Sequence, residues 1–420
     1  MRMQVFLVLV LVLFLAFHGR AFSGEVKGVV DLHAHLASHI PYWFMLFGGD
    51  PESAASPDLT HDHAYHQVMN LELLKKSGVK IYLQATLVNI LGFSKSIAEK
   101  QVLEQLEYVE NLAKRNSADF AVAHNPAEAR AIIAQGKIAF VHAFEGAEFL
   151  LDTLDDARAW QKRGVAMIGP IHLGDNQYGD SAVMKGRLVV VNLIGWLKRT
   201  FWPLSRQGLS PLGQVAIQNM FKAGIIVDTA HMSELSLEDT LQEAKKLQLP
   251  VIMSHGYVRD IRDEERGLTN QQMKSIYDLG GMIAVTGATF MLHPHNPLIP
   301  PLPENHCERS IDDYLLHISH IEKQFGVNSV PIGLGTDFNG FVPHFRPKYG
   351  DAGCSPVSAI LGKPLPFDVL GLAGPHLLPS MFNYLERISP GVQSYDRSAE
   401  RFLQIWEKAT SYALLPTSAK

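Results

Sequence analysis

Gly28-Val29-Val30-Asp31-Leu32-His33-Ala34-His35 is an apolar run that ends on three metal-type side chains. Four later apolar runs end the same way, on Glu145, His231, His255 and Asp337. In a parallel barrel, residues far apart in sequence meet at the carboxyl ends of the strands, where such folds keep their chemistry. The pattern predicts one metal centre at the mouth of an α/β protein, a (β/α)8 barrel of the TIM type.

Working outward, strand-like apolar runs occupy residues 28–34, 79–86, 138–144, 164–171, 224–230, 250–254, 281–287 and 330–335, which makes eight candidate strands. Helical patterns with start and stop signals lie between several of them, as strand-helix alternation requires. Ser96 with Glu99 reads as a capping box before the face Val102, Leu106, Val109 and Ala113. Asn125-Pro126-Ala127-Glu128 opens a helix that Gly136 closes, and Ser236 with Asp239, Thr269 with Gln272 and Ser310 with Asp313 are further N-terminal signals. The chain has no short repeat and no low-complexity linker.

The 420 residues, 47% hydrophobic and 19% charged, suffice for one barrel plus an extension. Arg2, the apolar stretch from Val5 to Phe17 and Ala21-Phe22-Ser23 read as a secretory signal peptide over residues 1–23, because the apolar stretch is shorter than a bilayer span. Its removal takes away two positive charges, Arg2 and Arg20, and no acid, moving the net charge from −5 to −7. An exported protein is expected, periplasmic or extracellular, and an uncleaved anchor is the membrane-associated alternative. A mildly acidic chain argues against nucleic acid. Cys307 and Cys354 lie in the exported portion and form either one disulfide or two buried thiols.

Two segments exceed a minimal barrel of residues 24–340. Residues 182–210 contain the stretch Leu188 to Trp202, apolar and ending in aromatic and basic side chains. Over 187–204 it suits either a membrane interface or a contact with the barrel or a second subunit of a homo-oligomer. Residues 341–420 form a C-terminal extension, helical in pattern from about 397, expected to pack over an end of the barrel.

The chemistry follows from ligand type. Histidine nitrogen and carboxylate oxygen are zinc ligands, and a catalytic site leaves a position open for water. His33 and His35, two apart on a strand, can grip one ion, and His231 and His255 a second. Glu145 has two oxygens with which to bridge both ions around a shared hydroxide, and Asp337 then has a carboxylate for proton transfer. Single histidines carry little weight alone: His142 reads as a core residue, and His61, His63, His66, His293 and His295 as loop residues or pocket-mouth side chains. Arg266, just beyond the sixth run, reads as a pocket residue or a surface ion-pair partner.

At this point the chain resembles the membrane (renal-type) dipeptidases of the amidohydrolase superfamily. The resemblance lies in Phe144-Glu145-Gly146-Ala147, Gly169-Pro170-Ile171-His172-Leu173-Gly174-Asp175-Asn176, Asp180-Ser181 and Gly208-Leu209-Ser210-Pro211-Leu212-Gly213. It continues in Gly224 to Glu234, Pro250 to His255, Arg266-Gly267-Leu268-Thr269 and Gly333 to Phe338, so it runs from about residue 28 to about 340. It implies Glu145 as bridging ligand, His231 and His255 on one zinc, Asp337 as acid/base, His172 stabilising an oxyanion and Arg266 holding a substrate carboxylate. The family has His-x-Asp on the first strand. This chain has His33-Ala34-His35, as many other amidohydrolases do, which leaves two-metal hydrolysis intact.

The expectation is an exported hydrolase with two zinc ions, or other divalent metals, that cleaves a dipeptide or similar small amide through a metal-bridging hydroxide. A lactonase or phosphoester hydrolase suits the HxH pair equally, and a non-catalytic metal-binding barrel is the reading from another class. Zinc content, with and without turnover on a dipeptide, lactone and phosphotriester panel, separates the three.

Overall fold

The computed structural model describes residues 25–41, 50–53, 68–88, 94–184, 192–201, 207–326, 330–360, 362–388 and 392–415. The expected leader at 1–23 and His61, His63 and His66 lie outside the described residues. The strands are β1 (Val29–Ala34), β2 (Val79–Leu87), β3 (Phe120–Val122), β4 (Ile138–Glu145), β5 (Val165–Gly169), β6 (Ile226–Asp228), β7 (Val251–Gly256), β8 (Met282–Thr286) and β9 (Ile332–Gly335). The helices are α1 (Leu71–Lys75), α2 (Lys95–Arg115), α3 (Pro126–Ala134), α4 (Leu154–Lys162), α5 (Leu193–Phe201), α6 (Pro211–Ala223) and α7 (Glu234–Leu247). They continue with α8 (Asn270–Asp278), α9 (Ile311–Phe325), α10 (Pro366–Leu370), α11 (Leu378–Ile388) and α12 (Ser398–Ala413).

The ladder runs β2-β1-β9-β8-β7-β6-β5-β4, and β2 pairs again with β4 from Ile81↔Ala139 to Leu87↔Glu145. That second pairing closes a ring of eight parallel strands, a (β/α)8 barrel, and its members are the eight runs expected from sequence. β3 is an addition: it pairs with the foot of β4, Phe120↔Ile138 to Val122↔Phe140, below the point where β5 takes over at His142↔Val165. Three residues are too few for a periodic signal.

Strands buried on both faces need apolar residues throughout, and β1, β4, β5 and β7 are buried along their whole length. Alternate residues supply two layers. Phe140 and Phe144 point outward into the shell with Leu106, Val109 and Trp160. Val30, Leu32, Ile81, Leu83, Ala139, Val141, Ile226, Ile252 and Met282 fill the interior. α12 presses Phe402, Leu403 and Trp406 into that same interior cluster and so plugs the amino end of the barrel, opposite the strand ends where Glu145 stands. Val30 N–H donates to Ser398 Oγ at 3.0 Å, and Arg130 grips Glu400 through two bonds of 2.7 and 2.9 Å.

Two helix starts differ from the sequence reading. α2 begins at Lys95 with Ser94 at the cap position, so Ser96 lies inside the first turn and forms no capping box. α7 is capped by Ser233, whose side chain accepts from Ser236 N, because Asp239 is engaged instead by Leu209 N–H at 2.9 Å. Asn125 and Thr269 cap as expected, with Gln272 completing a capping box. Cys307 and Cys354 are joined as a disulfide. Among the described residues no helix is long and apolar enough to cross a membrane. α5 exposes Leu193, Trp196, Leu197 and Phe201.

Candidate metal centre

β1 delivers the first ligand pair through a bulge. Between Asp31 and Ala34 three steps on β1 match two on β2, from Tyr82 to Gln84. The extra residue shifts the phase of the strand, which is how bulges re-aim side chains. Val30 and Leu32 face the apolar interior below it, and His33 and His35 turn to Glu145 above it. Asp31, which also ends the run, points elsewhere: its Oδ1 accepts from His33 N and Thr336 N and its Oδ2 from Thr336 Oγ1, tying β1 to β9. Burial pushes its carboxyl up to about 7.

Glu145, at the end of β4, is the hub. Its Oε2 lies 3.4 Å from His33 Nε2 and 3.6 Å from His35 Nε2. Its Oε1 lies 2.9 Å from His231 Nε2, 3.3 Å from His172 Nε2 and 3.5 Å from His255 Nε2. One oxygen serves the first-strand pair and the other serves the later histidines. Asp337 Oδ1 stands 3.0 Å from His35 Nε2 and 3.9 Å from His33 Nε2. All seven side chains are buried. His231 and Asp337 adopt left-handed backbone, φ 67° and 60°, strain of the kind that gathers at functional sites.

The donor set fits a cation. A carbonyl oxygen only accepts, so His35 Nδ1, 3.0 Å from Ala85 O, must carry the proton, and a neutral His35 then turns a lone pair on Asp337. His231 Nε2 and His255 Nε2 meet at 3.0 Å, and His33 Nε2 is buried without a hydrogen-bond partner among the described residues. Acceptors facing acceptors in a dry site require positive charge between them. Among the described residues, three groups of ligand atoms are close enough to hold an ion: His33, Glu145 and His255; His33, His35 and Asp337; Glu145, His172 and His231.

Electrostatics agree. Burial holds the His231 and His255 rings well below the usual histidine range, helped by the charge of Arg266 at the first and of His33 and Arg266 at the second, so both keep lone pairs. Burial lowers His33 too, but the carboxylates of Glu145, Asp337 and Asp228 outweigh it and raise the ring to about 9. Burial alone would raise Glu145; the charges of His172 and His33 beside it outweigh this and hold it well below the carboxylate range.

His172 follows β5 and sets its ring edge against His231, with centroids 4.6 Å apart and Nδ1 unpartnered among the described residues. Arg266 is 5% exposed, with Nη2 3.1 Å from His231 Nε2 and 3.5 Å from His255 O. It forms no ion pair among the described residues, so the surface-partner reading does not describe it. Two other described histidines lie apart from these ligand groups: His142 faces outward to Glu110 at 3.4 Å, and His293 meets Asp313 at 3.4 Å. Sequence reasoning missed Asp228 and Ser254, which stand behind His33 and His255, although both fall inside motifs quoted above.

A family model described as membrane dipeptidase (peptidase family M19) matches residues 24–356. The chain is 23% identical over 248 residues to dipeptidase tcpJ of Claviceps purpurea, covering 59% of this chain and 51% of that one. It is 23% identical over 244 residues to the uncharacterized dipeptidase C3A11.10c of Schizosaccharomyces pombe, covering 58% and 52%. It thus spans about half the length of the curated relatives it matches. Among solved structures it resembles a metallo peptidase from Rhodobacter sphaeroides liganded with a phosphinate mimic of the dipeptide L-Ala-D-Ala, at TM-score 0.65 and 16% identity over 92% of this chain and 100% of that one. The probable dipeptidase PvdM from Pseudomonas aeruginosa follows at 0.64 and 17%, over 92% and 96%. At these identities the likeness is one of fold.

Proposed function

The chain belongs to the membrane dipeptidase family, peptidase family M19, and from that premise we propose that it is a two-zinc hydrolase that cleaves a dipeptide or similar small amide. The split of Glu145 between the two groups of histidines carries this reading. His33 and His35 would hold one ion, His231 and His255 the other, and Glu145 both. When bound, the ions polarise the scissile carbonyl and lower the pKa of a shared water to form a hydroxide nucleophile.

The chain's own groups supply the rest. Arg266, a buried guanidinium without a carboxylate partner among the described residues, receives the substrate carboxylate as a bidentate fork. His172 Nε2–H donates to the oxygen on which charge develops. Asp337 takes up the proton released in the attack and delivers it to the leaving nitrogen. The low exposure of all these groups excludes bulk water and strengthens each interaction.

The test is zinc content and turnover on the dipeptide, lactone and phosphotriester panel, for the wild type and Glu145→Gln. We expect dipeptide hydrolysis, and in the variant a joint fall of about tenfold or more in affinity for both ions together with lost activity. Two tightly held ions in Glu145→Gln would sink the bridging assignment. Turnover of the lactone or phosphotriester alone would favour the second reading, to which the His33-Ala34-His35 pair is suited, and zinc without turnover would favour a binding protein.

The proposal extends to location and contacts. Residues 1–23 would direct export, and the Cys307–Cys354 disulfide supports an oxidising compartment. The exposed apolar side chains of α5 support a contact through 187–204 with a membrane surface or a second subunit, which vesicle flotation and sedimentation separate.

A further inference from the structure

A neutral imidazole has one lone pair, so a histidine can offer Nε2 to a metal only if its proton sits on Nδ1. His35 is fixed that way by the carbonyl of Ala85. For His33 and His255 the group opposite Nδ1 is a single atom, Ser254 Oγ, at 3.5 Å and 2.8 Å. The two rings stack with centroids 3.8 Å apart and planes 30° from parallel, which brings both Nδ1 atoms to one hydroxyl.

A serine hydroxyl has one proton and two lone pairs. Asp228 decides where the proton goes. Its Oδ1 accepts from Ser254 N and Ala230 N, both at 3.0 Å, and its Oδ2 accepts from Ser254 Oγ at 2.5 Å. With the proton committed to Asp228, Oγ has two lone pairs left for two Nδ1–H donors. Asp228 and Ser254 are 3% and 0% exposed, so water does not compete for these positions.

We infer that Ser254, oriented by Asp228, is a positioning residue that sets the tautomer of one ligand histidine in each half of the centre and thereby couples the two ion sites through one hydroxyl. The inference rests on the two-metal reading above. It makes a sharp demand on an isosteric change. In Asp228→Asn the backbone donors keep Oδ1, so Nδ2 faces Ser254 and donates to Oγ. The hydroxyl proton must then turn toward a histidine Nδ1, which has to accept it, and the ring proton moves to Nε2 where the metal should bind.

The experiment is titration of the metal-free full-length protein with zinc against a chromophoric chelator, which reads both dissociation constants without turnover. Ser254→Ala should weaken both ions by about tenfold to a hundredfold and Asp228→Asn at least one of them, with an unchanged far-ultraviolet circular dichroism spectrum. In Ser254→Ala, weakening confined to one ion overturns the shared hydroxyl, and unchanged constants in either variant overturn the role altogether. In the zinc-loaded, histidine-15N-labelled wild type, His33 and His255 should both carry hydrogen on Nδ1. That signature should be lost from at least one ring in Asp228→Asn, and its retention on both rings overturns the tautomer argument even if affinity falls. A wild type that takes up no zinc removes the centre itself, a failure seen before any variant is compared.

Discussion

His35 turns Nε2 to within 3.0 Å of Asp337 Oδ1, at the seam where β1 meets β9. The other ring nitrogen of His35 donates to Ala85 O, so Nε2 is the nitrogen left to face the carboxylate, as a bare lone pair whenever the ring is neutral. Only a positive charge shared between them makes the contact favourable. The seam is also where this chain departs from the His-x-Asp pattern of its family, so it is the place to ask what the substitution changes.

His35→Asp restores the family pattern and adds an anion beside Asp337. Both metals should stay, since carboxylate oxygen is a good zinc ligand. The more negative centre should shift the pH dependence of turnover upward and weaken inhibition by phosphate by on the order of tenfold. A pH-rate profile and a phosphate inhibition constant for both forms measure this. Unchanged values would mean that His35 does not touch the metal.

Asp337→Asn keeps the shape of the side chain but removes its ability to carry a proton. Turnover should fall by about a hundredfold to ten-thousandfold while metal content stays near wild type. If an ion is lost instead, Asp337 serves chiefly as a ligand beside His33 and His35, from which it stands 3.9 and 3.0 Å away. Metal analysis alongside kcat decides between the two roles.

Glu110 on α2 links the helix shell to the barrel through His124 at 2.6 Å and His142 at 3.4 Å. Burial pushes its carboxyl up, but hydrogen bonds from both histidines and their charges outweigh this and hold it down to about 2. A depressed folded-state value adds stability above the ordinary value near 4.5 and loses it as pH falls through about 2. Glu110→Gln should therefore be less stable than wild type at pH 6, with the gap narrowing toward pH 3. Urea unfolding midpoints across that range are the measurement, and a constant gap would contradict the assignment.

Trp406, 2% exposed, sits at the opposite pole from the chemistry. Trp406→Ala should destabilise the fold by about 3 to 5 kcal/mol, the usual cost of emptying a buried aromatic site. Protein that remains folded should hold its metals as tightly as wild type. Denaturant unfolding and metal titration on the same preparation test both halves.

The ring of strands was legible in the sequence because every member, even the three-residue β6 inside the run 224–230, coincides with an apolar run, and because five of the runs end on ligand-type residues. β3 left only the short run Phe120 to Ala123. The clustering of these side chains was legible for the same reason: Glu145 and His255 stand at the ends of β4 and β7, and His231 and Asp337 come just after β6 and β9. What stands behind the ligands was not. Asp228 and Ser254 look like ordinary residues of buried strands until the fold brings β6 and β7 side by side and stacks His255 on His33. The bulge in β1 was equally hidden, since it shows only in the register with β2. Capping was misread at Ser96 and Ser236 because serines recur there two and three residues apart, and sequence spacing does not say which of them adopts extended backbone.

The plug formed by α12 has a consequence for how the protein is made. Val30 and Ser398 are joined by a hydrogen bond across 368 positions, and the interior that β1 helps to build is filled by Phe402 and Trp406. β1 therefore waits for α12, 368 positions later, before its apolar face is covered. Contacts of such separation form slowly, and the surfaces that await them are open to aggregation in the meantime. Maturation must follow the synthesis of α12, and a premature stop before residue 398 would release a chain with an uncovered interior, material for proteases even though every residue of the candidate metal centre had been translated.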